Sequence, residues 1–84
     1  MKPPIPGTLV EHNIDGFDEY NYVDEGTGFV EFVDEEGKFV KVYMFNKIRY
    51  LKKNWAQVVI GATQQSYTIE KFYKLFNIIS KTNL

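Results

Sequence analysis

The strongest structural signal in this chain is a β-hairpin near its middle. Residues 28–33 and 39–45 are rich in β-branched and aromatic side chains, and the acidic stretch 34–37, which ends in glycine, separates them. A four-residue loop that ends in glycine is typical of a type I turn followed by a left-handed residue. The sequence therefore predicts two antiparallel strands joined by a short turn.

The second of these strands has two different faces, because side chains alternate along a strand. One face carries Val40, Val42 and Met44, which predicts that it packs in the core. A bend is predicted near residues 46–47, after which residues 48–51 continue the strand or begin another. The opposite face is predicted to carry alternating aromatic and basic side chains, namely Phe39, Lys41, Tyr43, Phe45 and Lys47.

Three further segments are predicted to be strands. Residues 8–12 and 20–24 show weak alternation, and residues 55–60 contain the β-branched run Val-Val-Ile. Gly61 is predicted to end the last of them. The lone Trp55 lies beside the Val-Val-Ile run and is predicted to be in the core.

The C-terminal segment is predicted to be a helix that begins after Thr68. A threonine is a good N-cap, and Glu70 falls in the first turn, where the helix dipole favours an acid. Apolar residues within 69–79 recur at helical spacing, so this broad apolar face is expected to cover one side of the sheet. The residues predicted to lie opposite are Glu70, Lys71, Lys74, Asn77 and Lys81.

These elements predict the α+β class: a small antiparallel β-sheet of four to five short strands, with one C-terminal α-helix packed on it. All three prolines lie within residues 1–7. Proline fixes φ and restricts the preceding residue, so this segment is predicted to be an extended arm. Residues 8–84 are predicted to form a single domain, since a chain of 84 residues has little room for a second core.

Charge is strongly sorted along the chain. Residues 1–36 contain ten acids and one lysine, and residues 37–84 contain nine bases and one glutamate, so the two segments carry −9 and +8. Such asymmetry bears on binding partners. Two interpretations stay open: the charges neutralise each other between neighbouring strands, or the acidic surface remains exposed and binds a basic partner.

The second interpretation predicts a non-catalytic protein-interaction module, such as a small inhibitor or an accessory subunit. Carboxylates on a rigid β surface imitate phosphates and steer association with basic proteins, and aromatic side chains supply binding hot spots. The candidate partner-binding residues are Asp15, Asp18, Glu19, Tyr20, Tyr22, Asp24 and Glu25.

Two alternatives accompany this prediction. Basic and aromatic residues alternate within residues 38–53, a pattern that suits single-stranded DNA or RNA because cations track phosphates and rings stack on bases. Self-association of acidic and basic segments is the other alternative. The candidate nucleic-acid-binding residues are Lys41, Tyr43, Phe45, Lys47, Arg49, Lys52 and Lys53.

The sequence offers little for catalysis. It has no cysteine and a single histidine, His12, so it predicts no enzyme, no cofactor and no metal site. The spacing of Asp15, Asp18 and Glu19 does not match a calcium-binding loop. Absence of cysteine fits a reducing compartment, and the apolar runs are too short for a membrane span, which together predict a cytoplasmic protein without membrane contact.

Overall fold

The computed structural model describes residues 1–80, which form one antiparallel β-sheet with one helix, as the predicted α+β class requires. The sheet has six strands, whereas the sequence predicted four to five. Two of them are long, at 13 and 12 residues, whereas short strands were predicted. In chain order the elements are β1 (Leu9–His12), a 3-10 turn (Ile14–Phe17), β2 (Tyr22–Glu25), β3 (Thr27–Val33), β4 (Phe39–Leu51), β5 (Gln57–Thr68), α1 (Ile69–Leu75) and β6 (Phe76–Ser80).

The long strand β4 organises the sheet. One of its edges pairs with β5 along almost the whole strand. Its other edge pairs first with β3 and, nearer the end of β4, with β2. Beyond β3 the sheet continues through β1 to β6, and all of these pairs are antiparallel. The strand order therefore places β5 and β6 at the two sides of the sheet.

The predicted hairpin is confirmed as β3 and β4. Gly37 adopts φ of 69°, the left-handed conformation that the turn was expected to need. The Asp34 carboxylate accepts hydrogen bonds from the backbone N–H groups of Lys38 and Phe39 at 2.7 and 2.9 Å. Local side-chain chemistry thus fixes this turn, which is why the sequence was sufficient to find it.

The core lies between α1 and one face of the sheet, called here the inner face. Val40, Val42 and Met44 are buried on this face, as their alternation predicted. Phe72 and Leu75 of α1 pack against them. Burial of each such side chain contributes on the order of 2 kcal/mol, so this contact is a main source of stability.

The helix begins as predicted but ends early. The Thr68 hydroxyl accepts a hydrogen bond from the Lys71 backbone N–H at 3.3 Å, which confirms the N-cap. The prediction that the helix extends to Ile79 is wrong, because Phe76–Ser80 form β6 and pair with β1. The predicted position of Lys81 lies outside the described residues. No helix within residues 1–80 is long and apolar enough to cross a membrane.

Two predictions around β5 are also wrong. Gly61 does not end the strand: its φ of 84° lets β5 continue through a bulge opposite Lys47. Trp55 is not in the core but is 61% exposed in the connection between β4 and β5. This connection lies beyond the part of the sheet that α1 covers, so no core is available to it.

The N-terminal residues lie against the folded chain. Residues 1–7 contain no helix or strand, and Pro4 is buried. The Tyr73 hydroxyl donates a hydrogen bond to the Lys2 carbonyl at 2.6 Å, and the Thr8 N–H donates one to the Ile5 carbonyl at 3.0 Å. These contacts tie the proline-containing segment to α1 and to the start of β1.

Candidate functional site

A bulge in β4 decides which basic side chains face inward. The pairing register between β4 and β5 shifts between Met44 and Lys47. Because one extra residue reverses the alternation, Lys47 and Arg49 lie on the inner face. The prediction that Lys47 shares a face with Tyr43 and Phe45 is therefore wrong, and Lys47 is only 3% exposed.

Asp24 of β2 forms an ion cluster with these two cations. Arg49 donates to both carboxylate oxygens, from Nε at 2.8 Å and from Nη2 at 3.0 Å. The Lys47 ammonium lies 3.1 Å from Asp24 Oδ2. The Arg49 guanidinium also lies 3.7 Å from the centroid of the Tyr22 ring, a cation–π distance. Three charged groups thus meet beside an aromatic ring.

The cluster is buried and its charges do not balance. The side chains of Asp24 and Lys47 are 3% and 4% exposed. Burial alone would raise the pKa of the Asp24 carboxyl, but the hydrogen bond from Arg49 and the Lys47 ammonium hold it below its ordinary value. Asp24 is therefore ionised at neutral pH. Two cations against one carboxylate leave one surplus positive charge.

His12 lies beside this cluster in an aromatic environment. Its ring stacks on Phe76 with centroids 4.4 Å apart and meets Phe17 edge to face. Its Nδ1 lies 3.1 Å from the Leu75 carbonyl oxygen, which can only accept, so Nδ1 carries the proton. Nε2 is then an acceptor, and it has no partner among the described residues. Burial lowers the pKa of His12 to about 4, so the ring is neutral at pH 7.

A cleft of about 200 Å³, named here the charged cleft, opens over these groups. The rings of Tyr20, Tyr22 and Tyr67 form part of its wall, together with His12 and the ion cluster, and Lys71 of α1 also lines it. Burial raises the pKa of the Tyr67 hydroxyl, which therefore stays neutral. The charged cleft thus combines surplus positive charge with aromatic walls.

The opposite face of the sheet, called here the outer face, carries a group of at least partly exposed rings. Phe29, Tyr43 and Phe45 lie with ring centroids 5.5 to 5.7 Å apart. Phe45 is 50% exposed. Beside them, Glu31 accepts hydrogen bonds from Gln64, the nearer at 2.9 Å. Aromatic rings therefore cluster on the outer face as well as in the charged cleft.

The residues predicted to bind nucleic acid are divided between the two faces. Tyr43 and Phe45 lie on the outer face, and Lys41 there is 3.9 Å from the Glu31 carboxylate. Lys47 and Arg49 lie inside the charged cleft. The structure therefore does not bring the predicted basic and aromatic residues together as one surface.

The last two residues of that set lie in the connection between β4 and β5. The Lys52 ammonium donates a hydrogen bond to the Phe17 carbonyl at 2.6 Å. Lys53 is exposed. Lys52 thus holds the connection against the 3-10 turn and is engaged within the fold.

The residues predicted to bind a basic partner are also dispersed. Asp24 is buried in the ion cluster, and Tyr20 and Tyr22 line the charged cleft. Asp15 and Glu25 are exposed. The prediction that Asp24 contributes to an exposed surface is wrong, because its buried carboxylate lies between Lys47 and Arg49.

Asp18 and Glu19 are exposed but engaged. The Lys74 ammonium of α1 lies 3.5 Å from the Asp18 carboxylate and 3.4 Å from that of Glu19. These acids follow the 3-10 turn that packs beside α1. They therefore help to join the acidic first part of the chain to the helix.

Charge sorting has a direct structural counterpart. Every ion pair found within residues 1–80 joins an acid from residues 1–36 to a base from residues 37–74. The pairs of Asp24 connect β2 to β4. The more exposed pairs connect β3 to β4, join Glu36 to Lys38 at the hairpin turn, and connect the residues after the 3-10 turn to α1. The geometry supports the first interpretation of the charge pattern, neutralisation inside the fold.

Strand β5 leaves one edge of the sheet open. It pairs with β4 only, and no other strand of the described chain lies on its second edge. About half of its backbone N–H and C=O groups point away from β4, since alternate residues of an antiparallel strand bond to each neighbour. An edge of 12 residues is long, and such edges pair readily with another extended chain.

The sequence of β5 lacks the residues that usually prevent an edge strand from pairing with another chain. The segment between Lys53 and Glu70 contains no charged residue and no proline, the two residue types that most often block edge pairing. Val58, Val59 and Ile60 are 43%, 71% and 37% exposed. Register shifts in the pairing with β4, on either side of Lys47 opposite Gly61, interrupt the regular geometry. An uncharged, partly apolar strand edge is therefore presented to solvent.

Sequence reasoning missed this edge although a signal was present. The uncharged run between Lys53 and Glu70 is visible in the sequence, but the prediction that Gly61 ends the strand cut it in two. The charged cleft carried no local signal, because the bulge and the pairing of β2 with β4 both depend on distant residues.

Comparison with known proteins identified no related protein. No family model matches the chain, and searches of curated proteins and of solved structures found no significant match. Within the described residues, no group of three or more histidine, cysteine, aspartate or glutamate side chains is placed to hold a metal ion. Functional inference therefore rests on the geometry of the chain itself.

Proposed function

We propose that this protein is a non-catalytic protein-interaction module whose docking surface is the free edge of β5. The observation that carries this proposal is the open 12-residue edge without charge or proline. Strand addition to such an edge is a recurring mode of peptide recognition, in which backbone hydrogen bonds give affinity and alternate side chains give specificity.

The partner that fits this edge is an extended, uncharged segment of another protein that is rich in β-branched residues. Val59, at 71% exposed, and its neighbours Val58 and Ile60 would be covered by apolar side chains of the added strand. A charged side chain placed against them would lose hydration without an ion-pair partner. The partner proposed for this edge is thus uncharged, whereas the sequence first suggested a basic partner.

The hypothesis that an exposed acidic surface binds a basic partner has less support than the edge of β5. Asp24 is buried, and Asp18 and Glu19 pair with Lys74. Self-association between acidic and basic segments loses support for the same reason. The cytoplasmic location, the absence of catalysis and the absence of cofactors stay predictions.

Nucleic-acid binding is a second candidate, favoured by the ring cluster of exposed Phe45 with half-buried Phe29 and Tyr43. Rings on an open sheet face stack on the bases of single strands. Lys41, the cation beside them, lies near the Glu31 carboxylate. Retention on single-stranded DNA that falls steeply with salt, and that Tyr43→Ala removes, would favour this candidate over the first.

A peptide selection tests the main proposal. Random 12-residue peptides displayed on phage are selected on the wild-type protein, and the best binders are synthesised and measured by calorimetry. We expect uncharged, β-branched sequences, with affinity reduced roughly tenfold by Val59→Lys, since this change places a charge where an apolar side chain is buried.

The matched control is Phe32→Lys, which adds the same charge at an exposed apolar residue of β3. It should leave peptide affinity unchanged because β3 is separated from the free edge by β4. Selected peptides that bind Val59→Lys as tightly as the wild type would place the docking surface elsewhere.

A further inference from the structure

We propose that the charged cleft is a binding site for a small hydroxycarboxylic acid. This inference does not rest on the free edge of β5. The cleft lies on the inner face and is lined by residues of β1, β2, β4, α1 and the 3-10 turn, together with Gln65, Ser66 and Tyr67 of β5. The carboxylate would lie at Lys47 and Arg49, and the hydroxyl would donate to His12 Nε2.

The first argument is charge. Lys47 and Arg49 share the single carboxylate of Asp24, and the Lys47 side chain is only 4% exposed, so water screens the surplus charge poorly. Lys71 also lines the cleft but is exposed, so water screens its charge and the poorly screened surplus stays at one. A monoanion neutralises that surplus, whereas a doubly charged phosphate would exceed it. The imbalance therefore favours one carboxylate group as the ligand.

The second argument is the supply of hydrogen-bond donors. An ammonium group has three N–H donors and a guanidinium has five. Asp24 accepts from Arg49 Nε and Nη2, and the Lys47 ammonium lies 3.1 Å from the same carboxylate. Donors beyond these remain on both side chains, and charge-assisted bonds of this kind are among the stronger ones.

The third argument is the unpartnered nitrogen of His12. This residue is 6% exposed, and its Nδ1 is engaged with the Leu75 carbonyl. A buried acceptor without a donor costs free energy, on the order of 1–3 kcal/mol. Because Nε2 itself is shielded from solvent, the side chains that cover it must move for a ligand hydroxyl to satisfy it.

The size and walls of the cleft suit an organic acid better than a simple ion. Its volume of about 200 Å³ equals roughly seven water molecules at about 30 Å³ each. Tyr20, Tyr22 and Tyr67 offer ring faces to an apolar part of the ligand. Small-molecule sites typically combine such walls with a few polar groups that fix orientation.

Three aromatic probes test the carboxylate and the hydroxyl of the proposed ligand separately. Mandelate carries a carboxylate, a hydroxyl and a ring; mandelamide lacks the negative charge, and phenylacetate lacks the hydroxyl. Each is titrated into wild-type protein at constant ionic strength while the side-chain NMR signals of His12 and Arg49 are followed. We expect saturable shifts with mandelate, with Kd of about 1 mM or tighter.

Mandelamide should bind roughly tenfold more weakly or not at all, and phenylacetate severalfold more weakly. Equal responses to mandelate and mandelamide would overturn the carboxylate site. Equal affinities of mandelate and phenylacetate would overturn the role of the hydroxyl and of His12. No saturable shift with mandelate would overturn the proposal as a whole.

A pair of variants tests the location of the site. Lys47→Met removes the buried cation and leaves Asp24 balanced by Arg49, and it should weaken mandelate binding roughly tenfold. Lys53→Met removes an exposed cation that does not line the charged cleft, and it should leave binding unchanged. Equal effects of the two changes would contradict the assignment. The three-probe comparison uses wild-type protein and does not depend on either variant folding.

Discussion

At the scale of single residues, Asp24 links the two charge segments of the chain. Its carboxylate accepts two hydrogen bonds from Arg49 and lies 3.1 Å from the Lys47 ammonium, all within the fold. Sorting of acids and bases along the chain thus becomes pairing between β2 and β4. Alternation in β4 predicted Val40 and Met44 correctly, but Lys47 could not be placed because a bulge leaves no mark on the local pattern.

Asp24→Asn is expected to destabilise the protein by about 3–5 kcal/mol, because it leaves two cations without their shared carboxylate in a buried place. Urea unfolding followed by Trp55 fluorescence or by circular dichroism measures the change. Glu31→Gln is the control, since it alters a partly exposed pair with Lys41 and should cost less than about 1 kcal/mol. Similar losses for both variants would contradict the central role of Asp24.

His12 makes stability depend on pH in a defined window. Its pKa is lowered from 6.5 to about 4 by burial, so between these values the unfolded state binds more protons than the folded state. Stability should therefore be full above about pH 6.5 and fall by about 3 kcal/mol as pH drops toward 4.

Nearby Lys47 and Arg49 oppose protonation of His12, and Asp24 favours it. In His12→Gln the titrating group is absent, so the loss of stability between pH 6.5 and 4 should be much smaller than in the wild type. Parallel pH profiles for the two proteins would show that His12 is not the group responsible.

At the scale of elements, local signals found the β3–β4 hairpin and the start of α1, and long-range pairing decided the rest. Phe76, Ile78 and Ile79 fit a helical pattern as well as a strand, and β1 resolves the ambiguity by offering an edge that β6 fills. The exposed position of Trp55 likewise depends on where α1 ends relative to the sheet. No local pattern in the sequence carries this information.

Thr68 tests the element boundary that the sequence did predict. Its hydroxyl accepts from the Lys71 N–H, so Thr68→Ala should cost about 1 kcal/mol by leaving that group unpaired. Thr68→Ser keeps the oxygen and should lower the free energy of unfolding by only about 0.3 kcal/mol. Thermal or urea unfolding gives both values, and equal losses would show that the cap hydrogen bond does not contribute.

At the scale of the whole molecule, a helix covers one face of the sheet and the long strand β5 forms an open edge. The inner face is covered by α1, whereas β5 presents 12 residues of unpaired edge among the described residues. The buried charges pair between β2 and β4, and the surface offers an uncharged strand edge beside its exposed charged residues. This contrast between internal pairing and an open edge is the basis of the proposed function.

Amide hydrogen exchange along β5, with and without a selected peptide, tests the docking edge most directly. In the free protein, alternate β5 amides that point away from β4 should exchange quickly, since they lack a strand partner. Added peptide should slow those same amides, while amides bonded to β4 change little. Protection that appears instead around the charged cleft or the outer face, with the β5 amides unchanged, would contradict the account.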